Sequence, residues 1–429
     1  MHTRDFTQMI KGEPVLLKWR SIATLSLITW IMLLRLNSLA SAEDFGLPIH
    51  GYIDIIGGFT YGTRSVDDGG NPISGGAPYE ETVRGFRSGN LDFYLTPHYD
   101  RVVGLLELNI EPELATETMG IDLERAQIGY LFSDELTIWA GRFHVPYGFW
   151  NTGFHHGQQL QLSIRRPRFV EFEDLGGILP THTIGLWGTG SLKTGNTRIS
   201  YDAFISNGPK LVDNVLDPNL AKDDNTSPMF GGRIGISPNG AISGLTLGLH
   251  GFTTQIDGLY SGDNGGAPFR RDPPSTFGHT FKPTGASTRV NMYGGFVIFD
   301  EHGVDFLAEL YHYSNSDLTV PNSKSQSSTF GFAQVGYGIS ERFTPFVRFE
   351  RASLNPSDVY MKELSQGSMQ QGRSYTKEAI GIKCDINDKT AVKFEAAHTV
   401  IGGDGSINSV GDLATVTFNE WRMQYALGF

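Results

Sequence analysis

Three arginines, Arg165, Arg166 and Arg168, stand within four positions of one another, and Glu171, Glu173 and Asp174 follow directly. A guanidinium group offers forked N–H donors that match a carboxylate or a phosphate. Opposite charges held apart in a narrow, poorly screened space set up a transverse field that sorts ions. The same six residues could instead pair among themselves and simply pin the segment that carries them. Histidines crowd the same stretch, at His144, His155, His156 and His182. They could be read as metal ligands, but adjacent histidines do not share the i, i+4 face of a zinc helix. Loop polar contacts or ring stacking are the expectation, with no metal and no cofactor. The sequence holds no Gly-x-Ser-x-Gly, His-Glu-x-x-His or Gly-Lys-Ser/Thr pattern, so no enzymatic activity is expected.

The stretch that carries these charges, 144–181, is the longest connection between predicted strands. It also holds Val145, Tyr147, Phe149, Trp150, Ile178 and Leu179. Apolar residues in a long connection imply packing against something, and connections of this length are usually functional.

What positions it is a repeated period-2 alternation. In 417–429, Trp421, Met423, Tyr425, Leu427 and Phe429 share one parity, while Glu420, Arg422, Gln424, Ala426 and Gly428 share the other. A strand with lipid on one face and water on the other reads this way. The same split recurs in 101–111, 198–205, 342–350 and 392–397. Sixteen strands are predicted, near 49–60, 88–97, 101–111, 121–132, 135–143, 182–190, 197–206, 229–237, 244–254, 288–299, 303–313, 328–339, 342–351, 376–385, 389–399 and 416–429. Tight turns such as Ser133-Asp134 and Asn387-Asp388 alternate with long polar connections. The predicted fold class is all-β, a transmembrane antiparallel barrel with its long loops at one end and the third folded inward. Wet-parity Arg125, Arg198, Arg233, Arg348 and Arg422 would extend a cationic path along the lumen. Acidic residues of that parity, Asp92, Glu107, Asp202, Glu309, Glu350, Glu395 and Glu420, dilute it. Trp421 and Tyr425 read as membrane-interface aromatics, and Cys384 as a small lipid-facing residue.

Composition agrees. The 429 residues include 53 Gly, 28 Phe, 16 Tyr and 6 Trp, and only 19% are charged, against roughly a quarter in soluble domains. One cysteine excludes a disulfide scaffold or a cysteine zinc cage. A formal net charge of −12 leaves no basic footprint for nucleic acid. At the N-terminus, Lys11, Lys18 and Arg20 precede an apolar run over 21–34, and Leu39-Ala40-Ser41-Ala42 offers a small-residue cleavage site. Residues 1–42 therefore read as an export signal, with the barrel domain over 43–429.

The sixteen-strand rhythm over 49–429, the closing Phe429 and the stretch Gly141-Arg142-Phe143-x-x-Pro146-Tyr147-Gly148 resemble the trimeric outer-membrane porin family. The third feature points more narrowly to the phosphate-selective porin-like group. The resemblance implies a homotrimer in outer-membrane lipid that passes small hydrophilic solutes and ions, with the third loop narrowing the pore. A substrate-specific anion (phosphate or carboxylate) channel, an outer-membrane enzyme or adhesin, and a soluble exported β-sandwich remain as alternatives.

Overall fold

The computed structural model describes residues 48–64, 83–112, 119–155, 157–170, 177–212, 215–217, 227–240, 242–259, 286–318, 321–355, 357–358, 360–361, 373–402 and 416–429. The export signal and the acidic trio Glu171, Glu173 and Asp174 lie outside the described residues.

Sixteen long strands form one closed antiparallel sheet. In chain order they are β1 (Ile49–Arg64), β2 (Val83–Leu95), β3 (Val102–Pro112), β4 (Met119–Ser133), β5 (Leu136–His144), β6 (His182–Thr194), β7 (Thr197–Ser206) and β8 (Met229–Pro238), then β9 (Leu245–Leu259), β10 (Ala286–Glu301), β11 (Val304–Asp317), β12 (Gln326–Tyr337), β13 (Phe343–Ser353), β14 (Tyr375–Asn387), β15 (Thr390–Ile401) and β16 (Val416–Gly428). Every strand pairs with its sequence neighbours. The circle closes where β1 meets β16, with Ile53 opposite Leu427 and Ile55 opposite Tyr425. The amide of Phe429 donates to the Gly51 carbonyl at 2.9 Å and the Gly51 amide donates back at 3.2 Å. A closed sheet has no unpaired edge, which is what makes strands tolerable in hydrocarbon. This topology replaces the sandwich alternative.

Parity sets the two faces. Along β11, Glu309, Tyr311 and Tyr313 are buried while Leu310 between them is 58% exposed. Ile234, Leu249, Val347, Phe349, Ile380, Phe394 and Met423 are likewise exposed, giving an apolar outer surface for lipid. Trp421, Tyr425 and Phe429 lie on this outer face, as their parity requires.

The short connections cluster at one end. Between β10 and β11, His302 (φ 58°) and Gly303 (φ 76°) both adopt positive φ, the conformation a two-residue hairpin needs to match strand twist. The turn after β6 is tighter than the sequence implies. The strand runs to Thr194, and Gly195 and Asn196 alone make the reversal. At the other end the strands outrun their alternation. β11 continues to Asp317 through Ser314, Asn315 and Ser316, which still pair with β10. There Asn315 stays buried, donating to Asp358 at 2.9 Å, so polar side chains replace the apolar ones while the backbone still needs its ladder bonds. A small hairpin (Lys210–Val212 with Val215–Asp217) also forms within 207–228.

Candidate functional site: the loop inside the barrel

The connection between β5 and β6 turns inward and packs on the inner wall. It opens with a helical turn, α1 (Trp150–Gly153), and later makes a 3-10 turn over Arg168–Val170. Tyr147, Trp150, Phe169, Val170, Ile178 and Leu179 are at most 1% exposed. They pack with Tyr311, Tyr313, Phe330 and Phe332 of β11 and β12, and with Tyr360 from the connection after β13. Phe169 sits 5.2 Å from the rings of both Tyr311 and Phe330, and Trp150 meets Phe332 edge-on at 5.6 Å. Fully burying one such side chain is worth roughly 1.5–3 kcal/mol, so this cluster is the main force holding the loop against the wall. It also explains apolar residues on the wet parity of β11 and β12, because the loop covers them.

Polar contacts fix the register. Three wall carboxylates each capture loop backbone. Glu309 accepts the amides of Phe149 and Trp150 at 2.6 and 2.7 Å, and the hydroxyl of Tyr311 donates to it as well. Glu350 accepts the Arg168 amide at 2.7 Å. Glu395 accepts the Ile164 amide at 2.8 Å. Lys393, fully buried, donates to the carbonyls of Gln158 and Ser163. The Tyr360 hydroxyl donates to the Ile178 carbonyl at 2.8 Å, and burial raises its pKa, so it stays a donor.

The wall arginines are paired rather than arrayed as a cationic track. Arg125 pairs with Glu107, and Arg422 with Glu420. Arg233 meets Asp202 at 2.8 Å and donates to the Gly148 carbonyl and Thr152 hydroxyl. Arg348 meets Glu350 at 2.9 Å and donates to Ser163 and to the Arg165 carbonyl. Arg348 and Glu350 do not line open channel as their parity suggests, because the loop sits on top of them and leaves both at most 2% exposed. Arg198 has inward parity but is exposed near the short turn, beyond the loop's reach.

Of the loop arginines, Arg168 is buried, its guanidinium 5.6 Å from the Tyr375 ring centre. Arg165 and Arg166 are half-buried. These two are the loop cations that retain contact with solvent among the described residues.

The root of the loop gathers histidines. His144 ends β5, His182 begins β6 and the two are cross-strand partners. His155 joins them from the loop, together with Glu124 of β4. His156 lies outside the described residues. Glu124 reaches the group through an irregularity in the β3–β4 register between Glu107 and Leu108, a bulge that alternation cannot reveal. The anchoring use of Glu309 was missed as well. Its signal was an inward carboxylate in the run Leu307, Glu309, Tyr311, Tyr313, where apolar neighbours demand a partner for a charge.

No family model matches the chain, and no curated relative matches it. Solved structures share its fold. The outer membrane channel DcaP of Acinetobacter baumannii superposes with a TM-score of 0.52 at 11% identity, covering 91% of this chain and 99% of that one. An anion-selective porin from Comamonas acidovorans gives 0.52 at 9% identity, covering 89% and 100%. OprB of Pseudomonas putida gives 0.51 at 11%, covering 90% and 94%. At these identities the likeness is one of architecture.

Proposed function

We propose that this chain is an outer-membrane porin, a water-filled channel for passive diffusion of small hydrophilic solutes and ions. The observation that carries this reading is the loop fixed inside a lipid-facing barrel by Glu309, Glu350 and Glu395. A barrel built only for anchorage gains nothing from a loop inside it, whereas a channel gains a constriction of defined size and charge. The neighbours described as channels or porins support the same reading. Export through residues 1–42 would deliver the chain, with Glu43 as the mature N-terminus. The porin resemblance adds a homotrimer, checked by native mass measurement in detergent. Passage is diffusive, so the reading includes no chemical turnover.

A second reading, a channel selective for phosphate or carboxylate anions, is favoured by one observation. Arg165 and Arg166 keep solvent contact on the inward loop, while Arg168 and Arg348 are buried. Planar-bilayer recording of the purified protein in a salt gradient, with phosphate and small dicarboxylates added in turn, tests both readings. Ohmic steps that none of these solutes blocks support the general porin. Anion-selective steps blocked by one solute support the specific channel. Folded protein that inserts without conducting overturns both.

A further inference from the structure

Four side chains converge at the root of the loop. One ligand atom each from Glu124, His144, His155 and His182 lies within 4.8 Å of every other. His182 Nε2 is 2.6 Å from Glu124 Oε2, and His155 Nε2 is 3.7 Å from the same oxygen. The imidazole rings pack with centroids 4.0, 4.8 and 5.1 Å apart. All four residues are 1–6% exposed.

The grouping is costly unless something compensates it. Three imidazoles around one carboxylate in a buried place cannot all carry protons without mutual repulsion. A neutral imidazole keeps one ring nitrogen able to bind a cation, and here one ligand atom from each ring and from the carboxylate falls in one small volume. Three nitrogens and one carboxylate oxygen form a donor set suited to zinc and its first-row neighbours, and poorly suited to magnesium or calcium. Tetrahedral bonds of about 2.0–2.1 Å place ligand atoms roughly 3.3 Å apart. Side-chain rotations of an ångström or so reach that from the separations present. A further carboxylate, Glu107, lies 3.8 Å from His144 Nε2 and is itself paired with Arg125, adding a second carboxylate beside the group.

We propose that Glu124, His144, His155 and His182 bind one divalent first-row transition cation, with Zn2+ as the reference ion, and that this ion staples the loop to the wall. The placement gives it that role. His144 and His182 are the two residues where the chain leaves and rejoins the barrel, His155 belongs to the loop, and Glu124 belongs to the neighbouring strand. Four protein ligands, all buried, close the coordination sphere, which is the pattern of structural rather than catalytic zinc. The site depends on the loop's position and not on what the channel passes.

The test uses untagged, detergent-solubilised mature protein stripped with a chelator. Calorimetric titration with Zn2+ is expected to show one ion per chain, and Co2+ loading a visible d–d band of a nitrogen-rich site. Glu124→Gln and His155→Gln, each checked for barrel folding by circular dichroism, are expected to bind at least about tenfold more weakly. Because His155 lies off the strands, its variant retains the barrel. Zinc-edge X-ray absorption on the wild type is expected to show three imidazoles and one further oxygen. Lack of saturable one-to-one binding by the wild type overturns the proposal. So does undiminished binding by either folded variant, or a coordination shell without imidazole.

Discussion

Glu309 Oε1 on the inner wall lies 2.7 Å from the Trp150 amide nitrogen, across 159 positions of sequence. The acceptor sits at the first turn of α1, where helical N–H groups have no partner of their own. Charge-assisted bonds of this kind are worth about 1.5–3 kcal/mol each. Glu309→Leu is therefore expected to release the start of the loop. Single-channel recordings should show larger and noisier conductance than the wild type. Unchanged, quiet steps would mean that the apolar cluster alone holds the constriction.

The arginine cluster separates by burial. Arg165→Gln with Arg166→Gln is expected to move the reversal potential in a salt gradient toward cations, with little change in thermal stability. Arg168→Gln, which loses its contact with the Tyr375 ring, is expected to cost about 0.5–2 kcal/mol and shift selectivity less. Equal selectivity shifts from both variants would place Arg168 in the conducting path.

Arg348 and Glu350 form a pair buried by the loop. Removing Arg348 leaves Glu350 with Lys377 at 3.9 Å and the Arg168 amide, so the cost falls below the roughly 3–5 kcal/mol of a wholly uncompensated buried charge. Arg348→Met should lower the thermal unfolding midpoint markedly, followed by heat-dependent gel mobility. Arg348→Met combined with Glu350→Gln should recover part of that loss. A double variant no more stable than the single would show that Arg348 acts mainly through Ser163 and the Arg165 carbonyl.

Gly148 has φ +52°, and a Cβ there would land on the Tyr311 hydroxyl and the Glu309 carboxylate. Gly148→Ala is expected to displace the loop even though a methyl group is small. Backbone strain alone contributes about 1–3 kcal/mol. Faster protease cleavage within the loop than in wild type, with the barrel intact, is the expected signature.

The alternation of Trp421, Met423 and Tyr425 against Glu420, Arg422 and Gln424 was legible because lipid and water impose it residue by residue. Where that contrast ends, so does the signal, and the polar extension of β11 to Asp317 was not predicted. Pairings across strands were illegible for a different reason. Arg233 meets Asp202 only because β7 and β8 adopt one register, and a single sequence carries no direct record of register. The histidine group shows the same limit. Local spacing argued against a helical zinc motif, yet a bulge at Glu124 and the cross-strand pairing of His144 with His182 assemble the ligands from four places. The inward loop was legible from its length and apolar content, but the carboxylates that hold it were read as pore charge.

The seam between β1 and β16 bears on how the molecule is made. Asp54 and Gln424, joined by a 2.8 Å hydrogen bond, stand 370 positions apart. Pairing of such high contact order is slow to form. Until β16 is available to meet β1, every shorter length of the chain presents two open sheet edges to whatever surrounds it. Assembly is thus unfinished until the last strand is in place, and the unsealed intermediate is the species most at risk of aggregation.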